Sequence, residues 1–372
     1  MIALRGMTWD HPRGIDPLRA CATMIQRVHI RWDARSLEDF ETHPLDDLAK
    51  RYDLIVIDHP HVGMAAASGC LAPFPHDRVA PLQGNTIGRS QETYEYDGNT
   101  WALAIDAAAQ VAARSADAVD PWPVCFDDVL ALARQGRVLW PLAPVHAFMS
   151  LMTWCANAGA PCGQSGDFCP DLETCGHALA SMRQLAAAVP GECFTCNPIA
   201  VLDRIAAEPE RRWYAPLIYG YVTYARTNRV AFGDIPSLKR GGDCAGSVLG
   251  GTGIAVSAYC QHTQLAQAAA ARIASPDVQA GIFSSSGGQP AHLAAWTNAD
   301  VDRAAGGFFS GTRQTLHRSF VRPRFDGYIA FQQHAGELVA ACLRGHAGIN
   351  HTLTALCQSF DRARPVRQEN PR

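Results

Sequence analysis

Apolar residues occur along the first sixty positions in two patterns that alternate. The short apolar run at 2–4 and the segment at 28–34 are strand-like, whereas segment 17–28 spaces its apolar residues as a helix does. A second helix is predicted over 36–52, with its cap at the start of that segment. The clearest strand is the continuous run at Leu54–Ile57, typical of a parallel strand buried on both faces. This alternation predicts an α/β fold with a parallel sheet.

The later chain mixes similar patterns with loops. Asp97-Gly98 between strand-like flanks predicts a hairpin. A helical pattern from Val124 is ended by Gly136, and a strand is expected at Val138–Leu142. Segment 159–176, rich in Gly, Pro and Ser, is predicted to be irregular. Segment 213–226 is aromatic and strand-like.

The chain length and the net charge limit the classes of protein to which the chain can belong. A chain of 372 residues is too long for one ordinary core and suggests two domains. A net charge of -3 gives no basis for binding nucleic acid or an anionic membrane surface. No apolar run approaches the ~20 residues that a membrane span needs, so no direct membrane insertion is expected.

The N-terminus and the cysteines bear on the compartment. The first residues show no secretory leader and lead directly into a strand, so we expect a cytoplasmic protein, or a periplasmic one if a leader is missing from this chain. The 13 cysteines are odd in number and scattered, and several lie in apolar surroundings. A chain of this size needs no disulfide framework, so free thiols are expected.

The loop Gly6–Gly14, GMTWDHPRG, follows a strand and precedes a helix. Ligands of open α/β sheets bind at such strand ends, which favours a site role for Trp9, Asp10, His11 and Arg13. The alternative is structural: an acid that caps the helix and a tryptophan that fills the core.

A second polar cluster, DHPHVG, ends the strand at Leu54–Ile57. Two histidines at a strand end can bind a metal, so Asp58, His59 and His61 define an alternative function as a metal-dependent hydrolase, with His11 and His146 as further candidate ligands. No further carboxylate is suitably placed, and a polar loop on a cleft wall is the preferred interpretation.

Two further motifs are weak. Cys193 and Cys196 form one C-x-x-C with other cysteines upstream, and zinc sites usually pair two such elements, so a thiol pair is favoured over a structural zinc. Gly250–Gly253, GGTG, lacks the lysine of a phosphate loop. Its glycines are better suited to a bend or a close approach to ligand.

The order of these segments resembles a known family. "YDLIVIDHPHVGMAAASGCLAPF" followed by "YEYDGNTWALAIDAAAQV" is similar to the first lobe of the extracellular solute-binding proteins of family 1, the type II periplasmic binding proteins of sugar-type ABC importers. "FDDVLALARQGRVLWPL", "LGGTGIAVSA" and "SGGQPAHLAAW" resemble later segments of that family. The chain departs from the family at Ala104-Ile105-Asp106, where members have a proline.

The resemblance implies a two-lobed α/β fold in which each lobe is a sheet flanked by helices. It places lobe 1 at 1–106 plus 255–305 and lobe 2 at 107–254 plus 306–372. Hinge crossings are implied near Ile105–Ala109, Gly250–Ala255 and Ala304–Thr312. The ligand-binding residues that it implies are Trp9, Asp10, His11, Arg13, His59, His61, Asp106, Gln110, His146, Tyr219, Tyr221, Gly250, Gly251 and Thr252.

The predicted function is non-enzymatic binding of a small polar solute (a sugar, a polyol or a small carboxylate) with hinge closure. Trp9 and Tyr219 would stack on the ligand, and Arg13 is the nearest guanidinium for a carboxylate. We expect no catalytic residue, metal or cofactor, and a monomer. The partners are the small-molecule ligand and an ABC permease, unless the protein is a cytoplasmic relative that serves no transporter.

Overall fold

A computed structural model describes residues 2–36, 44–118, 120–164 and 166–364. The larger of its two main sheets has six strands: β1 (Ile2–Trp9), β2 (Val28–Arg35), β3 (Leu54–Asp58), β4 (Leu71–Ala72), β7 (Leu103–Ala104) and β12 (Thr252–Ser257). Strands β1, β3 and β12 lie between β2 and β4, and β7 pairs with β12. Strand β1 is parallel to β2 and β3, as the alternating pattern predicts, whereas β12 returns antiparallel to β3.

The second main sheet is built around one long strand and is antiparallel throughout. Its strands are β8 (Ala108–Ser115), β9 (Tyr214–Tyr219), β10 (Val230–Gly233) and β11 (Leu249–Gly250). The hairpin β5 (Glu95–Tyr96) and β6 (Asn99–Thr100) is also present. Asp97 and Gly98 have φ of +51° and +72° at its turn, as the Asp-Gly signal requires.

Helices cover both sheets. Those of the first 140 residues are α1 (Pro12–Ala22), α2 (Leu45–Ala49), α3 (Val62–Ser68), α4 (His76–Val79) and α5 (Phe126–Arg134). The middle of the chain contributes α6 (Pro144–Asn157), α7 (Leu172–Ala186), α8 (Pro198–Ala207) and α9 (Val222–Arg226). The last third contributes α10 (Thr263–Ile273), α11 (Pro276–Val278), α12 (Leu293–Trp296), α13 (Ala299–Ala304), α14 (Phe308–His317), α15 (Tyr328–Leu343) and α16 (Ile349–Ala363). Short 3-10 turns lie at His59–His61, Glu92–Tyr94, Gly191–Thr195 and Pro209–Arg211, and a π turn lies at Gln279–Phe283.

The chain passes between the two sheets at closely spaced points. It leaves the first sheet after β7 and enters the second at β8, and it returns between β11 and β12 across the single residue Gly251. Helices α1 and α10 contact the first sheet, whereas α8 and α14 contact the second. Helices α6, α7, α15 and α16 pack on one another. The sheets therefore meet where these connections run, which is where a ligand site is expected.

Three predicted elements differ from the structure. Val138–Leu142 is not a strand: Val138 makes one isolated bridge to Tyr214 before prolines at 141 and 144 interrupt the pattern. The strand-like segment 213–226 divides at Gly220 into β9 and helix α9. The third element is the helix predicted over 36–52. Its residues 37–43 lie outside the described residues, and the helix observed in the remainder is α2.

Among the described residues, no helix is both long enough and apolar enough to cross a bilayer.

Candidate ligand-binding site

A cavity opens where the two main sheets approach each other. Its open volume, including the part exposed to solvent, is about 810 Å³. The walls come from strand ends and helix starts of both sheets. They are formed by Trp9, Arg13, Asp58, His61, Ala108, Val145, His146, Met149, Pro198, Tyr219, Tyr221, Gly250, Gly251, Thr252, Arg322, Ile329 and Gln332.

The segment GMTWDHPRG forms one edge of this cavity. Strand β1 extends to Trp9, so only Asp10 and His11 form the turn before α1, a shorter loop than the sequence suggests. The backbone N–H of Arg13 donates to Nδ1 of His11 at 3.0 Å, and this bond caps the helix. A Cβ at Gly14 would lie 2.5 Å from the Trp9 indole, so glycine lets that ring lie flat on the helix.

Arg13 is buried and its guanidinium joins both sheets. Its Nε donates to Oδ2 of Asp106 at 2.9 Å, its Nη2 donates to Oδ1 at 2.5 Å, and its Nη1 donates to the Gly220 carbonyl at 2.8 Å. The Tyr221 ring lies 4.7 Å from the guanidinium carbon. Burial opposes the charge, but Asp106 holds the pKa of Arg13 above its ordinary value. Arg13 therefore holds a carboxylate bidentately, but that carboxylate belongs to the protein.

A second buried arginine lies across the cavity. Nη2 of Arg322 is 3.1 and 3.3 Å from the two carboxylate oxygens of Asp58, and Nη1 donates to Oε1 of Gln332 at 2.8 Å. Burial disfavours the charge, yet the Asp58 carboxylate raises the pKa of Arg322. Arg322 in turn outweighs the burial of Asp58 and lowers the pKa of that carboxyl. Both members of this pair are ionised at neutral pH.

The three histidines at the cavity have different environments. His61 and His146 line it, whereas His59 is completely buried, with Nδ1 3.4 Å from Oδ1 of Asp58. Burial, followed by the charge of Arg322, lowers the pKa of both His59 and His146 to about 4. These two rings are therefore neutral at neutral pH.

The return crossing supplies the glycines and a threonine. Gly251 has φ of +97°, and a Cβ there would lie 2.3 Å from the Asp106 carbonyl oxygen, so the crossing requires glycine at this position. A Cβ at Gly250 would lie 2.7 Å from the Tyr219 ring, which therefore packs on bare backbone. Thr252 exchanges two backbone hydrogen bonds with Asp106, each 3.0 Å long. The GGTG segment thus permits the close approach that its sequence suggests.

Three polar atoms of the cavity lining are buried without a hydrogen-bond partner among the described residues. They are Nδ1 of His146, Oγ1 of Thr252 and Nε of Arg322. A buried polar group that lacks a partner costs about 1–3 kcal/mol. Because all three lie in the wall of one cavity, a ligand that carries several hydroxyl groups can satisfy them together.

Nine of the fourteen predicted site residues line the cavity, and five do not. Asp10 is exposed in the turn, and His11 caps α1 with its ring edge 4.8 Å from Tyr221. His59 lies beneath the surface, and Asp106 is engaged by Arg13. Gln110 is buried, where it donates to Oγ of Ser150 and accepts from Thr153.

Sequence reasoning missed most of the wall contributed by helices α6, α8 and α15. Met149 could have been found, because it lies three residues after His146 on the same face of α6. Arg322 has no local signal, since it is 264 residues from the Asp58 that it contacts. The residues missed are Ala108, Val145, Met149, Pro198, Arg322, Ile329 and Gln332, together with Asp58, which had been considered only as a metal ligand.

The geometry gives little support to a metal-dependent hydrolase. Both oxygens of Asp58 are engaged by the Arg322 guanidinium, whose positive charge opposes binding of a cation at the same carboxylate. Within the described ranges, the histidines and acids of the cavity do not form a group of three whose ligand atoms converge.

Comparison with known proteins identifies the fold. No protein-family model matches the sequence, and no curated protein matches it either. Solved structures do match over nearly the whole chain. The maltose-bound MalE3 of T. maritima is 14% identical, with a TM-score of 0.81 over 97% of this chain and 100% of that one.

Two further solved structures match the fold of this chain to a similar extent. An ABC-transporter solute-binding protein of Thermotoga lettingae TMO, bound with α-D-tagatose, is 14% identical, with a TM-score of 0.80 over 98% of this chain and 100% of that one. One from Agrobacterium radiobacter K84, in complex with ribitol, is 16% identical, with a TM-score of 0.76 over 97% and 98% of the two chains. The chain therefore has the two-lobed α/β fold of the ABC-transporter solute-binding proteins, and the fold implied by the sequence resemblance is confirmed.

Proposed function

We propose that the protein binds a neutral, polyhydroxylated small molecule, a sugar or a polyol, in this cavity without changing it chemically. The observation that carries the proposal is the set of unpartnered polar atoms on His146, Thr252 and Arg322 in the cavity wall. A guanidinium Nε donates, a threonine hydroxyl donates or accepts, and a neutral imidazole nitrogen does either. A hydroxyl group can pair with each of them.

The charge balance favours a neutral ligand over a carboxylate. Each arginine in the wall is already paired with a carboxylate of the protein, Arg13 with Asp106 and Arg322 with Asp58. A bound carboxylate would have to displace one of these acids and leave it buried without its partner, which is costly. Of the ligand classes considered from sequence, sugars and polyols therefore fit better than small carboxylates.

Aromatic rings provide the apolar part of the site. Trp9, Tyr219 and Tyr221 line the cavity, and flat rings with a polar edge suit the apolar faces of sugar rings. The structural neighbours support the same ligand class, since they were solved with maltose, α-D-tagatose and ribitol.

The Asp58–Arg322 pair is a candidate latch for closure. With the proposed lobes at 1–106 plus 255–305 and 107–254 plus 306–372, Asp58 belongs to lobe 1 and Arg322 to lobe 2. The three hinge crossings predicted from the resemblance are retained as part of the proposal. Opening the cleft would separate the two charges and rehydrate them, whereas a bound ligand would hold them together.

In the wider role that we propose, the protein is the substrate-binding component of an ABC importer, or a cytoplasmic relative that binds its solute for another purpose. A reducing compartment is supported by the thiols, because all thirteen cysteines are free and ten of them are buried. A permease partner and a monomeric state are retained as part of the same proposal.

A thermal-shift panel with matched ligands tests the proposed function. Glucose, maltose, tagatose and ribitol would be compared with glucuronate, which differs from glucose by one oxidised carbon. A neutral ligand at 100 times its Kd adds about 2.7 kcal/mol, which for 372 residues raises Tm by about 3 °C. We expect such a shift with at least one neutral compound and a smaller shift in Thr252→Val. Shifts with glucuronate alone, or with none of the compounds, would contradict the proposal.

A further inference from the structure

Four cysteines that are separate in sequence converge beside helices α6 and α7. Cys155 lies in the last turn of α6, Cys162 and Cys169 lie in the connecting segment, and Cys175 is the fourth residue of α7. The Sγ atoms of Cys155, Cys162 and Cys175 all lie within 4.8 Å of one another, and these three residues are completely buried.

Cys169 completes the group. It is 7% exposed, and hydrogen bonding with the Cys175 thiol, together with burial, raises the pKa of Cys169. Cys175 is the centre of the arrangement, because hydrogen bonds from the thiols of Cys155, Cys162 and Cys169 lower the pKa of Cys175. Four sulfur atoms therefore share one small buried volume, as the ligands of a four-sulfur metal site do.

We propose that Cys155, Cys162, Cys169 and Cys175 bind one zinc ion in a closed structural site. Tetrahedral Zn²⁺ has Zn–S bonds of about 2.3 Å, which places neighbouring sulfurs about 3.8 Å apart. Three of the sulfurs already lie within 4.8 Å of one another. Four cysteine ligands leave no open position for a substrate, so the role is structural.

The ligand set selects the kind of metal. Thiolates are soft ligands that favour zinc over calcium or magnesium, which prefer oxygen. Sulfurs this close leave no room between them for the iron and sulfide atoms of a cluster. Cys193 and Cys196, the C-x-x-C pair considered from sequence, lie outside this group, and the Sγ of Cys193 accepts from the backbone N–H of Trp140 at 3.5 Å.

The site explains how an irregular segment is held in place. The described residues between α6 and α7 form neither helix nor strand, and Gly159 and Gly163 have φ of +96° and +73°. Phe168 of this segment stacks on Phe148, with 5.7 Å between the ring centroids. Zinc would tie this segment to both helices.

The proposed zinc site also supports the wall of the cavity from a distance. Helix α6 carries His146 at its start and Cys155 near its end, so the metal would lie roughly 13 Å from His146 along the helix axis. The proposal does not depend on the identity of the ligand. It predicts that loss of the metal weakens the protein without removing any group that touches solute.

Metal analysis of the full-length protein tests the proposal. The protein would be expressed with added zinc, purified under reducing conditions, and measured by elemental analysis and native mass spectrometry. We expect one zinc per chain, lost in Cys155→Ser and in Cys175→Ser and retained in Cys193→Ser and Cys196→Ser. Removal of zinc by a strong chelator should lower Tm of the wild type and leave Tm of Cys175→Ser unchanged.

A cobalt-substituted sample provides a second measurement if the serine variants fail to fold. Refolding the wild type with Co²⁺ should give the thiolate-to-cobalt charge-transfer and intense visible bands of tetrahedral sulfur ligation. Three results would overturn the proposal: a reduced protein free of stoichiometric metal, a disulfide within the group in place of metal, or zinc that is lost in Cys193→Ser.

Discussion

Replacing Arg13 by Met removes a buried charge, since the Arg13 side chain is only 5% exposed. The side chain of Asp106 is 1% exposed, and Arg13 supplies two hydrogen bonds to its carboxylate. Breaking a buried ion pair by removal of one partner costs about 3–5 kcal/mol. For a chain of 372 residues the entropy of unfolding is about 0.8 kcal/mol/K, so Arg13→Met should lower Tm by roughly 4–6 °C.

The stability lost in Arg13→Met should depend on pH in a defined direction. Burial already raises the pKa of Asp106, with Arg13 acting against the increase, so removal of Arg13 raises that pKa further. Such a carboxyl group has a higher pKa in the folded protein than its value of about 3.9 in the unfolded chain. Its contribution to stability is complete below the unfolded pKa and is lost as the pH rises through the folded pKa. The stability deficit of Arg13→Met should therefore be smaller at pH 5 than at pH 7.

Urea unfolding of matched variants at pH 5 and pH 7 is the assay. Adding Asp106→Asn to Arg13→Met should recover most of the loss, because no buried charge remains. Arg5→Met is the control: its partner Asp33 is 3.2 Å away, but Arg5 is 58% exposed, so we expect a change below about 1 kcal/mol. A loss in Arg13→Met no larger than that of the control, or one equal at both pH values, would refute the reasoning.

Three further predictions concern single positions. Thr252→Val removes a buried hydroxyl that lacks a partner in the described structure, so the ligand-free variant should be at least as stable as the wild type. Calorimetry should show solute binding about tenfold weaker, a loss of about 1.4 kcal/mol. Unchanged affinity would exclude Thr252 as a contact. Gly251→Ala forces alanine to φ of +97° against a carbonyl and should cost about 1–3 kcal/mol in urea unfolding, whereas Gly191→Ala, with open space around it, should be nearly neutral. Burial lowers the pKa of His59 and His146 to about 4, so the unfolded chain binds more protons and the free energy of unfolding should fall as pH drops from about 6.5 to 4. Urea titrations of His59→Gln should show this slope reduced by up to about 1.4 kcal/mol per pH unit, and an unaltered slope would show that His59 does not titrate as stated.

Local signals in the sequence were sufficient for much of the fold. The Leu54–Ile57 run predicted the buried β3, and Asp97-Gly98 predicted the hairpin, because both depend on neighbouring residues alone. The strand expected at Val138–Leu142 failed, because its backbone partner is one bridge to Tyr214, over seventy positions away. Strand pairing between distant segments is not encoded in a local pattern.

The same limit applies to the site. Trp9 was named because it lies at the end of a strand, where sites of α/β sheets are expected, and Thr252 was named because the family resemblance placed its segment at the ligand. The Asp58–Arg322 pair could not be found, since nothing near either residue indicates that the chain returns after α14 to bring them together. Sequence reasoning also assigned Arg13 to the ligand, whereas its donors are directed at Asp106 and Gly220.

A crystal structure of the protein with the neutral compound that gives the largest thermal shift would test the central claim most directly. We expect the compound in the cavity between the two sheets, with a ring or carbon face against Trp9 or Tyr219 and hydroxyl groups on Oγ1 of Thr252 and Nε of Arg322. Both ion pairs, Arg13–Asp106 and Arg322–Asp58, should remain intact. Binding elsewhere on the molecule, or a bound carboxylate that has displaced Asp58 or Asp106, would contradict the claim.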